Sequence, residues 1–262
     1  MNVYLAGAIQ ANNKALWINL LSALKAGGET LDLYLAETQG RRWCVDLYLA
    51  GTMYGNQGKV LEEFKDEIPA YQSTKIDIAI LESFYYADEW TEKAIPLLDK
   101  FLLDSGAFTF MSSSKTHVDW DVYLNRYIDF INRNNVKQFF ELDIDSIVGY
   151  EKVKDLRRVL EKGTGKRCIP VWHKSRGLAE WHKMTEEYDY VAIGGIVSRE
   201  IKPNEYKYFT PMLEIAKKNK CKVHGLGFTN LRGMEKYHFY SVDSTAWTTG
   251  NRFGAVYLTA GR

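Results

Sequence analysis

Eight short apolar runs, each closing on polar or glycine residues, constrain the fold of this chain more than any other feature. They are VDLYLAG (45–51), IDIAILES (76–83), KFLLDSG (100–106), QFFELDID (138–145), CIPVWH (168–173), YVAIGG (190–195), KVHGLG (222–227) and FYSVDS (239–244). Runs of this length suit strands buried on both faces of a parallel sheet. Helical patterns separate most of them, at 57–66, 88–98, 119–133, 150–162, 176–187, 204–219 and 230–237. The clearest is 119–133, where Trp120, Tyr123, Leu124, Tyr127, Ile128 and Ile131 recur at helical spacing. Alternation of this kind predicts βαβ units. Eight strands predict a (β/α)8 TIM barrel, with a doubly wound open sheet as the rival. The absence of GxGxxG after the first strand, and the gathering of polar residues at the carboxyl ends of the runs, favour the barrel.

The 262 residues fit a single barrel domain over 1–262. Residues 1–45 exceed the count of eight. They hold a strand-like NVYLAGA (2–8), a helix-like KALWINLLSALKA (14–26) and LDLYLAE (31–37), and read as an N-terminal extension or barrel-closing segment. The short YLAG at 4–7 and 48–51 reads as two similar strand exits. A net charge of +1 with 46% apolar residues excludes a disordered tail and a histone-like basic protein. Cys44, Cys168 and Cys221 form neither a disulfide framework nor a CxxC pair, which points to a reducing, cytoplasmic setting. No apolar run reaches the ~18 residues of a membrane helix, and the N-terminus lacks a signal-peptide pattern. No membrane partner, metal or cofactor is expected.

The strand ends carry the candidate chemistry. Asp104 and Ser105 end the third run, Asp143 and Asp145 the fourth, and His173 the fifth. Gly194-Gly195 end the sixth, His224 and Gly225 the seventh, and Asp243 the eighth. Each has a plain reading as well: a turn cap for Asp104-Ser105, a satisfied histidine, a turn for the glycine pair. Gathered at one barrel mouth, they suit a flat polar ligand. Ionised Asp only accepts, which matches the N1–H and 2-amino donors of guanine. Backbone N–H groups at Gly194-Gly195 suit a carbonyl such as O6. Phe108 is placed to stack on a base, and two separated carboxylates fit glycosidic-bond chemistry.

At these residues the chain resembles the tRNA-guanine transglycosylases. DSGAF (104–108) is similar to that family's DSGGF/Y, and ELDID (141–145) to its acidic base-recognition strand. YVAIGG (190–195) is similar to its AIGGL strand, HGLG (224–227) to MGVG, and VDSTAWTTGNRFG (242–254) to DSTLPTRxxRNG. The motifs follow the family's order. The resemblance implies a TIM barrel and base exchange. Asp243 would be the nucleophile on C1′ and Asp104 the general acid/base. Asp143, or else Asp145, would read the guanine N1–H and amino edge. His173 stands where the family has a Gln facing the base carbonyl, Gly194 and Gly195 form the O6 site, and Phe108 and His224 sandwich the base. Ser105 and Gly225 complete the base-binding positions.

The departures redirect the substrate. The CxCxxC…H zinc site of the tRNA enzymes is absent, and only Asn251-Arg252 remain of the basic stretch. In these respects the chain is similar to the compact, phage-encoded DNA-guanine transglycosylases, which place 7-deazaguanines such as preQ0 in DNA. The expected partners are DNA, guanine and a 7-deazaguanine base, with tRNA as the alternative polymer. A non-catalytic nucleobase-binding barrel is the alternative class. Lys174, Arg176, Asn251 and Arg252 are the expected phosphate contacts, and the target base would be flipped out or single-stranded.

Overall fold

The computed structural model describes residues 46–50, 76–106, 109–110 and 118–244. The expected helix at 57–66, the segments within 1–45, and Phe108, Asn251 and Arg252 lie outside the described residues.

All eight runs form strands. These are β1 Asp46–Ala50, β2 Ile76–Ser83, β3 Leu98–Asp104, β4 Gln138–Phe139, β5 Val171–Trp172, β6 Tyr190–Ile193, β7 Lys222–Gly225 and β8 Ser241–Ser244. Every neighbouring pair is parallel, in the order β4-β3-β2-β1-β8-β7-β6-β5. The first and last strands of that order are also tied to each other. Phe140 bridges Ile169 in parallel, Glu141 N–H donates to Ile169 O at 3.1 Å, and Ile169 N–H donates to Phe139 O at 2.8 Å. Neither end strand is left as a bare edge.

Parallel neighbours need crossover connections, and helices supply them. They are α1 Glu89–Ala94, α2 Trp120–Arg133, α3 Asp145–Val148, α4 Tyr150–Thr164, α5 Gly177–Glu187, α6 Phe209–Lys218 and α7 Leu231–Lys236. The 88–98 pattern divides into α1 and a 3-10 turn, Ile95–Leu97, because Pro96 has no N–H to continue the helix. α2 matches its sequence pattern. The Asp119 side chain caps it by accepting from the Asp121 and Val122 N–H groups, each at 3.1 Å. One face buries Tyr123, Leu124, Tyr127, Ile128 and Ile131. The Tyr127 hydroxyl lies 3.2 and 3.0 Å from Leu103 O and Phe140 O, so the helix also pins β3 to the chain leaving β4.

Strand alternation sorts the core into two faces. Val191, Ile193, Val223 and Val242 pack towards α5 and α6, with Trp181, Met184, Phe209 and Met212. Phe101, Leu103 and Phe139 pack towards α2 and α4. On the opposite face Tyr48, Leu81, Leu102, Phe140, Val171, Tyr190 and Ala192 form their own cluster, drawn from strands far apart in sequence. The period of two then fixes the site. Asp104 shares a face with Leu102, His173 with Val171, and Gly194 with Ala192. His224 and Asp243 fall opposite Val223 and Val242, on that same inner face.

Candidate functional site

Three carboxylates meet at the carboxyl end of the sheet. Asp104 closes β3, and its Oδ2 accepts from the Gly106 N–H at 2.8 Å. Gly106 must be glycine here. Its φ is +80°, and a Cβ would come 2.6 Å from Tyr85 Cβ. Burial first, then the charge of Asp143 and that of Asp243, push the Asp104 carboxyl up to about 7, against the opposing hydrogen bond from the Gly106 N–H. A carboxyl poised near neutrality can both donate and accept a proton.

Asp243 is held from behind by a buried string of hydrogen bonds. The Tyr190 hydroxyl contacts Ser241 Oγ, and Ser241 Oγ lies 2.6 Å from His224 Nδ1. His224 Nε2 lies 3.3 Å from Asp243 Oδ1. The Gly227 N–H donates to the same oxygen at 2.6 Å. A carboxylate can only accept, so the His224 Nε2–H donates to Asp243. Among the described residues both contacts fall on Oδ1, leaving Oδ2 outside them.

His173 lies between Asp143 and a further carboxylate, Glu200. Its Nε2 is 3.3 Å from Asp143 Oδ2 and its Nδ1 is 3.1 Å from Glu200 Oε2. Burial alone would lower its pKa, but the bonds to Asp143 and Glu200 outweigh burial and raise it to about 10. Glu200 is correspondingly lowered, chiefly by His173, and its other oxygen accepts from the Ser175 N–H at 2.9 Å. The glycine pair makes this clamp possible. A Cβ on Gly194 would lie 2.8 Å from both His173 Cε1 and Val171 Cγ1. Gly195 has φ +78°, and a Cβ there would meet Glu200 Oε2 at 2.6 Å. Gly194→Ala is therefore expected to destabilise the fold by about 1–3 kcal/mol through overpacking. Denaturant unfolding checks this, and an unchanged midpoint would show that His173 yields freely.

The geometry corrects several sequence expectations. Asp145 does not sit beside Asp143 as a second base reader. It opens α3 and takes both its oxygens to Arg176, at 2.6 Å each. Arg176 is no phosphate contact. Its side chain is 1% exposed, binds Glu141 at 2.8 Å, and stacks 4.2 Å from the Tyr150 ring centre. Lys174 is exposed but paired with Glu205. His224 is fully buried between Tyr48 and Phe140, so it supports Asp243 and offers no face for stacking. His173 spends both ring nitrogens on carboxylates and contributes charge, not a free donor towards O6. The Gly194 N–H donates to Trp172 O at 2.9 Å, so the pair's first amide belongs to the sheet. Ser105 is buried, and its carbonyl accepts from the Tyr123 hydroxyl at 2.6 Å. Gly225 packs beneath Phe228 and Phe239.

Glu200, Glu141, Tyr190 and Ser241 enter the site or its support without a sequence expectation. Glu141 lay inside the quoted ELDID, on the same alternation as Asp143 and Asp145, but was given no role of its own. Glu200 lies in a loop, where no periodicity marks it.

No set of three or more His, Cys, Asp or Glu side chains is arranged to hold a metal ion among the described residues. No helix among them is long and apolar enough to cross a membrane. No family model and no curated protein matches the chain. Among solved structures it is similar to one titled "QR15, an Aldolase", at 12% identity and a TM-score of 0.47, covering 78% of this chain and 90% of that one.

Proposed function

We propose that the chain is a (β/α)8-barrel DNA-guanine transglycosylase, exchanging guanine in DNA for a 7-deazaguanine through a covalent Asp243-glycosyl intermediate. One observation supports this above the others. A carboxyl raised to about 7, Asp104, shares a strand-end face with a carboxylate, Asp243, that is anchored through a single oxygen. This is the pairing that a retaining glycosyl transfer needs, one proton carrier and one nucleophile.

Asp243 Oδ2 attacks C1′ while the C1′–N9 bond to guanine breaks, and Asp104 gives its proton to the departing purine. The incoming 7-deazaguanine returns an N9 proton to the Asp104 carboxylate. Its N9 then bonds to C1′, and the ester to Asp243 breaks. Asp143 accepts from the purine N1–H and amino group with the oxygen that His173 does not engage. His173 presents a cation to Asp143 Oδ2, and a carboxylate supplies the acceptor-only edge that the purine donors need.

The test is incubation with guanine-containing DNA and labelled preQ0 or preQ1, alongside tRNA. Label is expected in DNA. Label in tRNA alone would change the polymer, and label in neither would end the reading. The first half-reaction carries its own pH signature. Guanine release in a single turnover is expected to slow as pH rises through about 7, because a raised carboxyl pKa keeps the acid protonated only below that value. Asp104→Asn should lose both the rate and the slope. A flat profile from pH 6 to 8 would remove Asp104 from the acid role.

A further inference from the structure

The connection from β6 to α6 forms a concavity next to the carboxylate cluster. Its volume is about 670 Å³, and Ile196, Ile201, Pro203 and Tyr206 line it with Arg199 and Lys202. Val197, also in its wall, packs directly over Gly227, since a Cβ on Gly227 would meet Val197 Cγ2. Gly227 in turn donates to Asp243. One glycine therefore separates the concavity from the carboxylate assigned to C1′.

We infer that this concavity receives the nucleotide adjoining the reacting one in single-stranded DNA, with its base over the apolar floor and its phosphates at Arg199 and Lys202. This rests on the base-exchange reading for the position of the reacting nucleotide, and on the loop's own charge and shape for the rest.

Charge complementarity is the first support. The loop carries two acids, and both are already engaged. Glu200 is held by His173 and the Ser175 N–H. Glu205 is held by Lys174 and the Lys202 N–H. Arg199 and Lys202 are exposed, and no ion pair to either forms among the described residues. The rim is therefore positive beside an acidic centre, as a strand needs when its backbone stays outside and one base goes in.

The floor is the second support. Tyr206 is fixed by stacking on Phe209, with ring centres 5.1 Å apart and planes 20° from parallel, and by an edge contact with Phe228 at 5.4 Å. An aromatic ring held in place binds a base with little ordering cost. The third support is backbone conformation. Arg199 adopts φ +59°, the left-handed region that a side chain disfavours, and its N–H closes a turn onto Ile196 O at 3.2 Å.

The experiment uses the full chain and fluorescein-labelled dT12 and rU12, which hold no guanine and so separate strand binding from base exchange. Anisotropy titrations are run from 50 to 300 mM salt. Two phosphate contacts on a single strand contribute about 1.4 to the slope of log K against log salt. Arg199→Ala/Lys202→Ala is expected to reduce the slope by that amount and to weaken dT12 binding about 25-fold at 0.1 M salt, which is 10 to the power 1.4. Lys162→Ala/Lys218→Ala removes the same charge from the last turns of α4 and α6, at the other end of the sheet, and is expected to leave the slope unchanged. Equal slopes for the loop variant and the wild type overturn the proposal, as does an equal loss in the control variant. Tighter binding of rU12 than of dT12 overturns it too. Loss of label incorporation with strand binding intact would instead count against base exchange alone.

Discussion

Asp243→Asn is expected to abolish the covalent DNA–protein adduct and to slow base exchange by at least about 10³-fold, as removal of a nucleophile does elsewhere. Asparagine is the informative replacement. Its amide oxygen can keep the 2.6 Å bond from the Gly227 N–H and the contact with His224, so the fold around it stays supported. What it loses is the negative charge and the nucleophilic Oδ2. Asp243→Ala would lose the same chemistry but also leave the Gly227 N–H and the His224 Nε2 without their acceptor, at about 1–3 kcal/mol. Comparing the two separates chemistry from stability. Denaturing gels of enzyme incubated with guanine-containing DNA read the adduct directly. An adduct of undiminished yield in Asp243→Asn would remove this residue from the nucleophile role. Adduct lost from Asp243→Ala but kept in Asp243→Asn would make its role a structural one.

The strand pattern was legible because a parallel sheet buries both faces of each strand. Eight apolar runs stand out, and all eight are strands. Alternation also placed Asp104, His173 and Asp243 at strand ends. What it could not show was how polar side chains choose one another. Asp143 and Asp145 lie far in sequence from the cations they meet, since Arg176 is 31 residues from Asp145 and His173 is 30 residues from Asp143. Each carboxylate found a different cation across the βα loops. The glycine pair was read as room for a ligand, whereas the space at Gly194 is filled by His173 and at Gly195 by Glu200. At Gly194 the crowding atoms belong to Val171 and His173, more than twenty residues earlier in the chain, and at Gly195 to Glu200, in the same loop.

Removing Glu141 is expected to be the most damaging single change to stability. Its carboxylate is fully buried and carries three bonds. It pairs with Arg157 Nε, pairs with Arg176 at 2.8 Å, and accepts from the Val171 N–H at 2.8 Å. Glu141→Ala would leave two largely buried guanidinium groups and a strand amide facing a void. Breaking a buried pair in this way costs about 3–5 kcal/mol, or very roughly 6–20 °C in Tm for a domain of this size. The loss would also reach the site. Arg176 fixes Asp145 at the start of α3, and Asp145 follows Asp143 by two residues. The Val171 amide lies two residues before His173, so Glu141 steadies both partners of the Asp143–His173 contact. Glu141→Gln should retain the acceptor for Val171 and lose only the charge pairing, giving a smaller drop. Thermal unfolding of both variants decides the matter. Equal Tm values for Glu141→Ala and wild type would show that the arginines re-pair or hydrate at no cost. An Ala variant that folds but binds guanine poorly, beside a Gln variant that binds it well, would show the network acting on base recognition through backbone position.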